Sequence, residues 1–327
     1  MKKVSIVMPA YNAAKTIRNS IDTVLLQTYK NWELIIVDDG STDETRQIVN
    51  DYANKNIVYL QQENRGPAAA RNKGIAKATG EYITFMDSDD ELHEEYIKIL
   101  VDLLEQNGAD ISMCEYRKIT ITEAENLNKQ IKEKLPEGKL EIFSPEECIQ
   151  RMFYKNKVMP YPFLKLFKRS VIGEVKFPYG IKLGEDLEFN LGVFKRSKKI
   201  VYVDLPLYFH ITNYDGITHN LNQQMAEEHW HRMENLYIRE EEILKPAIMN
   251  RLFVLSFDFL CQMEKESKGQ EFYKECIDFI QVYNSVVCDD RKASFVVRTM
   301  AFMSKISIPL TVQICKCLKN FNLKKAV

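Results

Sequence analysis

The sequence predicts an α/β protein in which a mostly parallel central sheet with flanking helices is followed by a helical C-terminal region. Three observations carry that expectation. Short β-branched runs alternate with amphipathic helical patterns through about the first hundred residues, and each of those runs ends in polar or glycine-bearing residues. From Gln223 onward the pattern turns almost wholly helical.

In chain order, residues 4–8, 33–37, 57–60 and 82–85 read as strands, and 13–27, 43–52 and 67–78 as the helices between them. Such a βαβαβαβ order calls for parallel strands with helices on both faces. A helix over 94–106 and a strand over 110–114 continue the pattern, whereas 120–138 is charged and poorly periodic and reads as a surface excursion. Beyond it, 145–153 is expected to be helical, 163–167 extended and 186–195 helical. A soft boundary at 213–221 divides a first domain, 1–215, from the helical region, 216–327.

The 327 residues are 45% hydrophobic, enough for one large core or two moderate ones. Lys and Arg number 45 against 46 Asp and Glu, so no overall field favours nucleic acid as a partner. Seven scattered cysteines without a C-x-x-C pair fit reduced thiols and argue against zinc. The apolar run after Lys2 and Lys3 stops at Pro9, too short for a signal peptide, so the expectation is a protein facing the cytoplasm.

Polar clusters follow four successive strands: Pro9-Ala10-Tyr11-Asn12, Asp38-Asp39-Gly40-Ser41, the segment with Asn64, Arg65 and Gly66, and Asp87-Ser88-Asp89-Asp90. In an open parallel sheet the carboxyl ends of the strands line the ligand crevice, so these clusters describe one site. Asp87 and Asp89 are alternating carboxylates suited to a hard divalent cation, although Asp90 and Glu91 would equally suit a following helix dipole. A carboxylate at Asp38 or Asp39 suits a base N–H or ribose hydroxyl. Arg71, near a helix start, suits a diphosphate, and Tyr11 could face a nucleobase.

Taken in order, residues 4–12, 37–43, 71–74 and 87–90 resemble the family 2 glycosyltransferases, strongly over 1–115 and more weakly to about 215. The resemblance implies the GT-A fold, a nucleotide-sugar donor (UDP by analogy), Mn²⁺ or Mg²⁺ held through the D-x-D acids, and inversion at the anomeric carbon. It also implies a saccharide or lipid-linked acceptor, as in bacterial polysaccharide biosynthesis. By that similarity Pro9, Ala10, Tyr11, Asn12, Asp38, Asp39, Asn64, Gly66, Arg71, Asp87 and Ser88 contact the donor, with the choice between Asp38 and Asp39 for the base left open. Asp89 takes the metal, with Asp87 reaching ribose or metal. Asp186 matches the general base, with Glu185 beside it, after a glycine-bearing stretch that could close over the donor. Lys165 reads either as a phosphate or acceptor contact or as a solvated lysine on an edge strand. A further weak match lies around Tyr208-Phe209-His210 and 216–219, where His219 reads as a phosphate contact or an ordinary packed or solvated ring.

A dinucleotide-dependent oxidoreductase is disfavoured, because no G-x-G-x-x-G follows the first strand. A sugar-phosphate nucleotidyltransferase would open with a Gly-rich loop where this chain has Pro9-Ala10-Tyr11-Asn12. A non-catalytic saccharide- or nucleotide-binding module would need no base.

The tail, 291–327, carries eight Lys or Arg and no Asp or Glu among many apolar residues. Its longest uncharged run, 306–315, contains Pro309 and falls short of the roughly 20 residues that span a membrane. Two readings stand: a basic amphipathic segment on the inner face of an anionic membrane, or packing against the rest of the chain or the second subunit of a homodimer.

Overall fold

The computed structural model describes residues 1–120, 135–181, 183–212, 223–262 and 271–320. Strands β1 (Val4–Ala10) and β2 (Trp32–Asp38) are buried along their whole length, as expected of near-continuous apolar strands covered by helices on both faces. With β3 (Ile57–Gln61) and β4 (Tyr82–Phe85) they form a parallel half-sheet in the order β3-β2-β1-β4. The connecting helices are α1 (Ile17–Leu25), α2 (Thr45–Asn50) and α3 (Pro67–Lys77). Pro67 stands at the start of α3, where its missing N–H costs no helical bond.

Beyond β4 the sheet continues through β8 (Lys165–Lys168), β6 (Ile111–Ile119), β9 (Ile200–Ile211) and β5 (Glu91–Leu92), with β7 (Leu140–Phe143) also on β9. β8 runs antiparallel to both β4 and β6, and β9 is parallel to β6. Hence β1, β2, β4, β6 and β9 all point the same way, and their carboxyl ends open on one edge. Helix α4 (Tyr96–Asn107) ends at Gly108 with φ 58°, a left-handed cap that glycine adopts without Cβ strain. Helix α5 (Pro145–Phe153), the short α6 (Arg169–Ile172) and α7 (Glu185–Arg196) complete this part of the chain.

Two compact units divide the molecule: Met1–Cys148 with Met159–Gly216, and Ile149–Val158 with Ile217–Val327. Residues 149–158 thus group with the later part of the chain. In the second unit α8 (Gln223–Arg239), α9 (Lys245–Gln262), α10 (Glu271–Asp289), α11 (Phe295–Ile306) and α12 (Ile308–Asn320) are helical. α9 is buried nearly all round, and its Ser256 accepts from Trp230 Nε1 at 2.9 Å. Ser294 caps α11 through the Val297 N–H, and the chain restarts as α12 around Pro309. Among the described residues no helix is long and apolar enough to cross a membrane.

Candidate active site

The loops after β1 and β2 are fastened to each other by their own polar residues. Asn12 adopts a left-handed φ of 50°, its N–H donates to Ser41 Oγ at 2.9 Å, and its Oδ1 accepts from the Thr42 N–H at 2.9 Å. Asp38, fully buried, accepts from the Ser41 N–H at 2.8 Å and from the Tyr59 hydroxyl. Asp39 accepts from Gln62 Nε2 and from the N–H groups of Arg65 and Gly66, at 2.8, 2.9 and 2.8 Å. Gly40 joins them with φ +81°, a conformation that favours glycine, and a Cβ there would crowd the Asn64 nitrogen at 3.0 Å. Pro9 and Ala10 end β1, and Tyr11 stands just beyond them, half exposed. Asn64 and Gly66 stand on the Asp39-bound loop.

Arg71 lies in the second turn of α3, nearly buried, rather than displayed at the helix start. Its Nη2 donates to Asp87 Oδ1 and its Nη1 to Asp186 Oδ1, each at 3.0 Å, and Glu185 Oε1 is 3.6 Å from Nη1. Residues 115 positions apart therefore meet on one guanidinium. Burial would lower the Arg71 pKa, but Asp186, Asp87 and Glu185 raise it above its ordinary value. For Asp186 burial wins over the attraction of Arg71, and with Glu185 and Asp87 adding repulsion its carboxyl is pushed up to about 7. Gly184, with φ 93°, starts α7, so Glu185 and Asp186 occupy the first turn, where the helix dipole favours acids.

Asp89 is likewise raised to about 7, by burial first and then by Asp90 and Asp87. Ser88 links this loop back to α1, its carbonyl accepting from Thr16 Oγ1 at 2.9 Å. Asp87 and Asp89 are hard oxygen donors, and Asp89 is crowded by the charges of Asp90 and Asp87, which a divalent cation would relieve. Among the described residues no group of three or more His, Cys, Asp or Glu side chains could hold a metal by itself. The donors fit an ion that arrives sharing its ligands with phosphate oxygens, not an all-protein cage.

Three expectations change. Asp90 and Glu91 do not precede a helix: they run into β5, and α4 begins only at Tyr96. Asp90 is fully buried and accepts from the Tyr208 hydroxyl at 2.6 Å and the Ile211 N–H at 2.8 Å, with His210 Nδ1 at 3.2 Å. Lys165 is not a solvated edge residue, because β8 lies between β4 and β6 and the side chain is buried. Its Nζ donates to the carbonyls of Met159 and Tyr161, both at 2.7 Å, and burial lowers its pKa to about 8. The 162–164 segment ahead of it is a 3-10 turn rather than extended chain. His219 lies outside the described residues.

Residues 5–176, more than half of the chain, match the model of glycosyl transferase family 2. The chain belongs to glycosyl transferase family 2. This family 2 chain is 32% identical to glycosyltransferase GlyA of Streptococcus pneumoniae serotype 4 (strain ATCC BAA-334 / TIGR4) over 212 residues, 63% of this chain and 30% of GlyA. It is 31% identical over 248 residues, 72% of each chain, to poly(ribitol-phosphate) beta-N-acetylglucosaminyltransferase TarP of Staphylococcus aureus (strain N315). It thus spans about a third of GlyA and somewhat under three quarters of TarP, and the match to the uncharacterized glycosyltransferase EpsJ of Bacillus subtilis (strain 168) spans 66% of EpsJ. The crystal structure of S. aureus TarS 1-349 in complex with UDP-GlcNAc superposes with a TM-score of 0.69 at 21% identity, covering 98% of this chain and 92% of that one. The fold is therefore GT-A, with additional C-terminal helices.

Sequence reasoning on this family 2 chain missed the Asp90, Tyr208 and His210 network, whose members are 118 and 120 positions apart. The available signal was the alternation of Tyr208 and His210, which places both on one face of a strand.

Proposed function

We propose that the protein is an inverting glycosyltransferase that moves a sugar from a nucleoside diphosphate donor, a UDP-sugar by analogy with its relatives, to a hydroxyl of a saccharide or lipid-linked saccharide. The observation that carries this reading is the convergence of Asp87 and Asp186, from separate elements, on the single buried guanidinium of Arg71. One acid belongs to the loop after β4, where phosphates gather at strand ends, and the other heads a helix.

In this reading Pro9, Ala10, Tyr11, Asn12, Asn64 and Gly66 frame the nucleoside, and Asp38 and Asp39 hold those loops in place. Arg71 keeps Asp87 and Asp186 at fixed separation. Asp186 takes the proton of the acceptor hydroxyl as its oxygen attacks the anomeric carbon, and the bond to the diphosphate breaks with its electron pair leaving on the opposite side. When bound, Mn²⁺ or Mg²⁺ supplies charge neutralisation to the leaving diphosphate, and Asp89 with Asp87 would hold it. The catalytic domain is taken as 1–215.

The C-terminal helices support contact with an anionic lipid surface, where a lipid-linked acceptor would be presented. Phe295, Phe302, Ile306 and Leu310 are exposed, as are Arg298 and Lys305. Such a pairing of apolar and basic side chains suits an interfacial helix.

The test is a panel of nucleotide sugars incubated with enzyme and Mn²⁺ or EDTA, reading released nucleoside diphosphate. Release from one donor that EDTA abolishes is the expected result. Binding of UDP or GDP without release or transfer from any donor would replace the transferase with a binding module.

A further inference from the structure

The rings of Tyr116, Tyr161 and His210 cluster at the carboxyl ends of β6 and β9, beyond the acids that follow β4. In the sheet order β3-β2-β1-β4-β8-β6-β9, the nucleotide-side loops follow β1, β2 and β3, and Asp87 and Asp89 follow β4. Strands β6 and β9 open on the same edge but on the far side of those acids. Displacement in line requires the acceptor opposite the departing diphosphate, which is that far side.

What stands there is a set of stacked rings. Phe163 lies on Tyr208 at 4.3 Å between centroids and 19° between planes, and Tyr161 lies on Phe163 at 5.2 Å and 8°. Tyr116 meets Tyr161 edge-on at 5.9 Å and His210 at 6.3 Å. The inner members, Phe163 and Tyr208, are buried, whereas Tyr116, Tyr161 and His210 are only half buried. A stack serving the core alone would be buried throughout. This one brings two phenols and an imidazole to its outer side, combining apolar faces with polar rims.

The stack is also tied to the reacting groups. The Tyr208 hydroxyl donates to Asp90 and accepts from the Asp87 N–H at 3.2 Å. Asn190 Nδ2 donates to the carbonyls of Pro160 at 2.7 Å and Asp186 at 2.8 Å, so the residue preceding Tyr161 shares a donor with the base. Lys165 Nζ also donates to the Tyr161 carbonyl. A saccharide ring has an apolar C–H face and a hydroxyl rim, and it is the ligand class that such amphipathic rings recognise.

We propose that Tyr116, Tyr161 and His210 form the acceptor subsite, taking a saccharide ring against their faces and thereby setting acceptor specificity; this rests on the transferase reading above. The test uses the donor that the panel identifies and a set of tagged mono- and oligosaccharides as acceptors, reading tagged product by mass. Tyr161→Ala and Tyr116→Ala are each expected to raise KM for the acceptor at least tenfold, with KM for the nucleotide sugar held within twofold. Tyr161→Phe, which keeps the ring, should stay near the wild-type acceptor KM. If Tyr161→Ala is insoluble, Tyr161→Leu keeps the bulk and is read in the same way.

Unchanged acceptor KM in the alanine variants would overturn the subsite, as would a parallel rise in donor KM or a Tyr161→Phe variant as poor as the alanine one. Donor hydrolysis without transfer to any tagged saccharide would overturn it too. Wild-type enzyme that releases no diphosphate from any donor would instead bring down the transferase reading itself.

Discussion

Asp186 shares Arg71 with Asp87 and Glu185, and the balance of these charges sets its chemistry. In the base role proposed above, a carboxyl that burial pushes up to about 7 takes a proton more readily than an ordinary aspartate. Only the carboxylate can take a proton. Transfer should therefore fall as pH drops through about 7 and level off above it, a profile checked by kcat/KM against pH. Asp186→Asn should lose roughly 10²- to 10⁴-fold in kcat while binding the donor normally by calorimetry; intact turnover would remove it from the base role. A second buried carboxylate has a different part. Burial would raise the Glu33 pKa, but hydrogen bonds from Lys3, Ser5 and Thr79 outweigh it and hold the group down at about 2. Being depressed in the folded state, this group stabilises fully above its ordinary range, near 4.5, and the contribution disappears as pH falls toward 2. Glu33→Gln should cost on the order of 2 kcal/mol in urea unfolding at pH 7 and much less near pH 3.

At the scale of elements, α3 lies hard against β1. A Cβ on Gly74 would stand 2.3 Å from Val7 Cγ1, so the helix reaches this distance only because it carries a glycine there. Gly74→Ala should destabilise by about 1–3 kcal/mol despite the better helix propensity of alanine. Adding Val7→Ala should return part of that loss, which a double-mutant cycle in urea would reveal. The same half-sheet is the part most legible in the sequence, because β1 to β4 are local apolar runs and β1, β2 and β3 are each followed by their own helix. The beginning of α7 was legible too, from its glycine and acids. Residues 200–211 were harder to place despite the β-branched run at 200–203 and the alternation of Tyr208 and His210: β9 is a long strand whose neighbours β6, β5 and β7 come from distant parts of the chain. The solvated-edge reading of Lys165 failed for the same reason, since nothing near it in sequence shows that two strands flank β8. Asp90 looked like a helix-start acid and proved to be the buried acceptor to which Tyr208 and Ile211 donate.

For the molecule as a whole, the acid-free stretch from Arg291 and the exposed Phe295, Phe302 and Ile306 lead to a membrane prediction. The protein should sediment with anionic phosphatidylglycerol vesicles and not with neutral phosphatidylcholine ones. Replacing those three exposed residues by serine should abolish the binding while leaving the melting temperature nearly unchanged, and sedimentation that survives would assign the face to another use. Glu33 has a further consequence at this scale. Lys3, Ser5, Glu33 and Thr79 are joined at the amino ends of β1, β2 and β4, whereas Asp87, Arg71 and Asp186 converge at the opposite rim of the same sheet. The barrel of a lock and its bolts are thus separate parts: substitutions in the loops proposed to meet donor and acceptor lie away from the fastening that keeps the strands aligned.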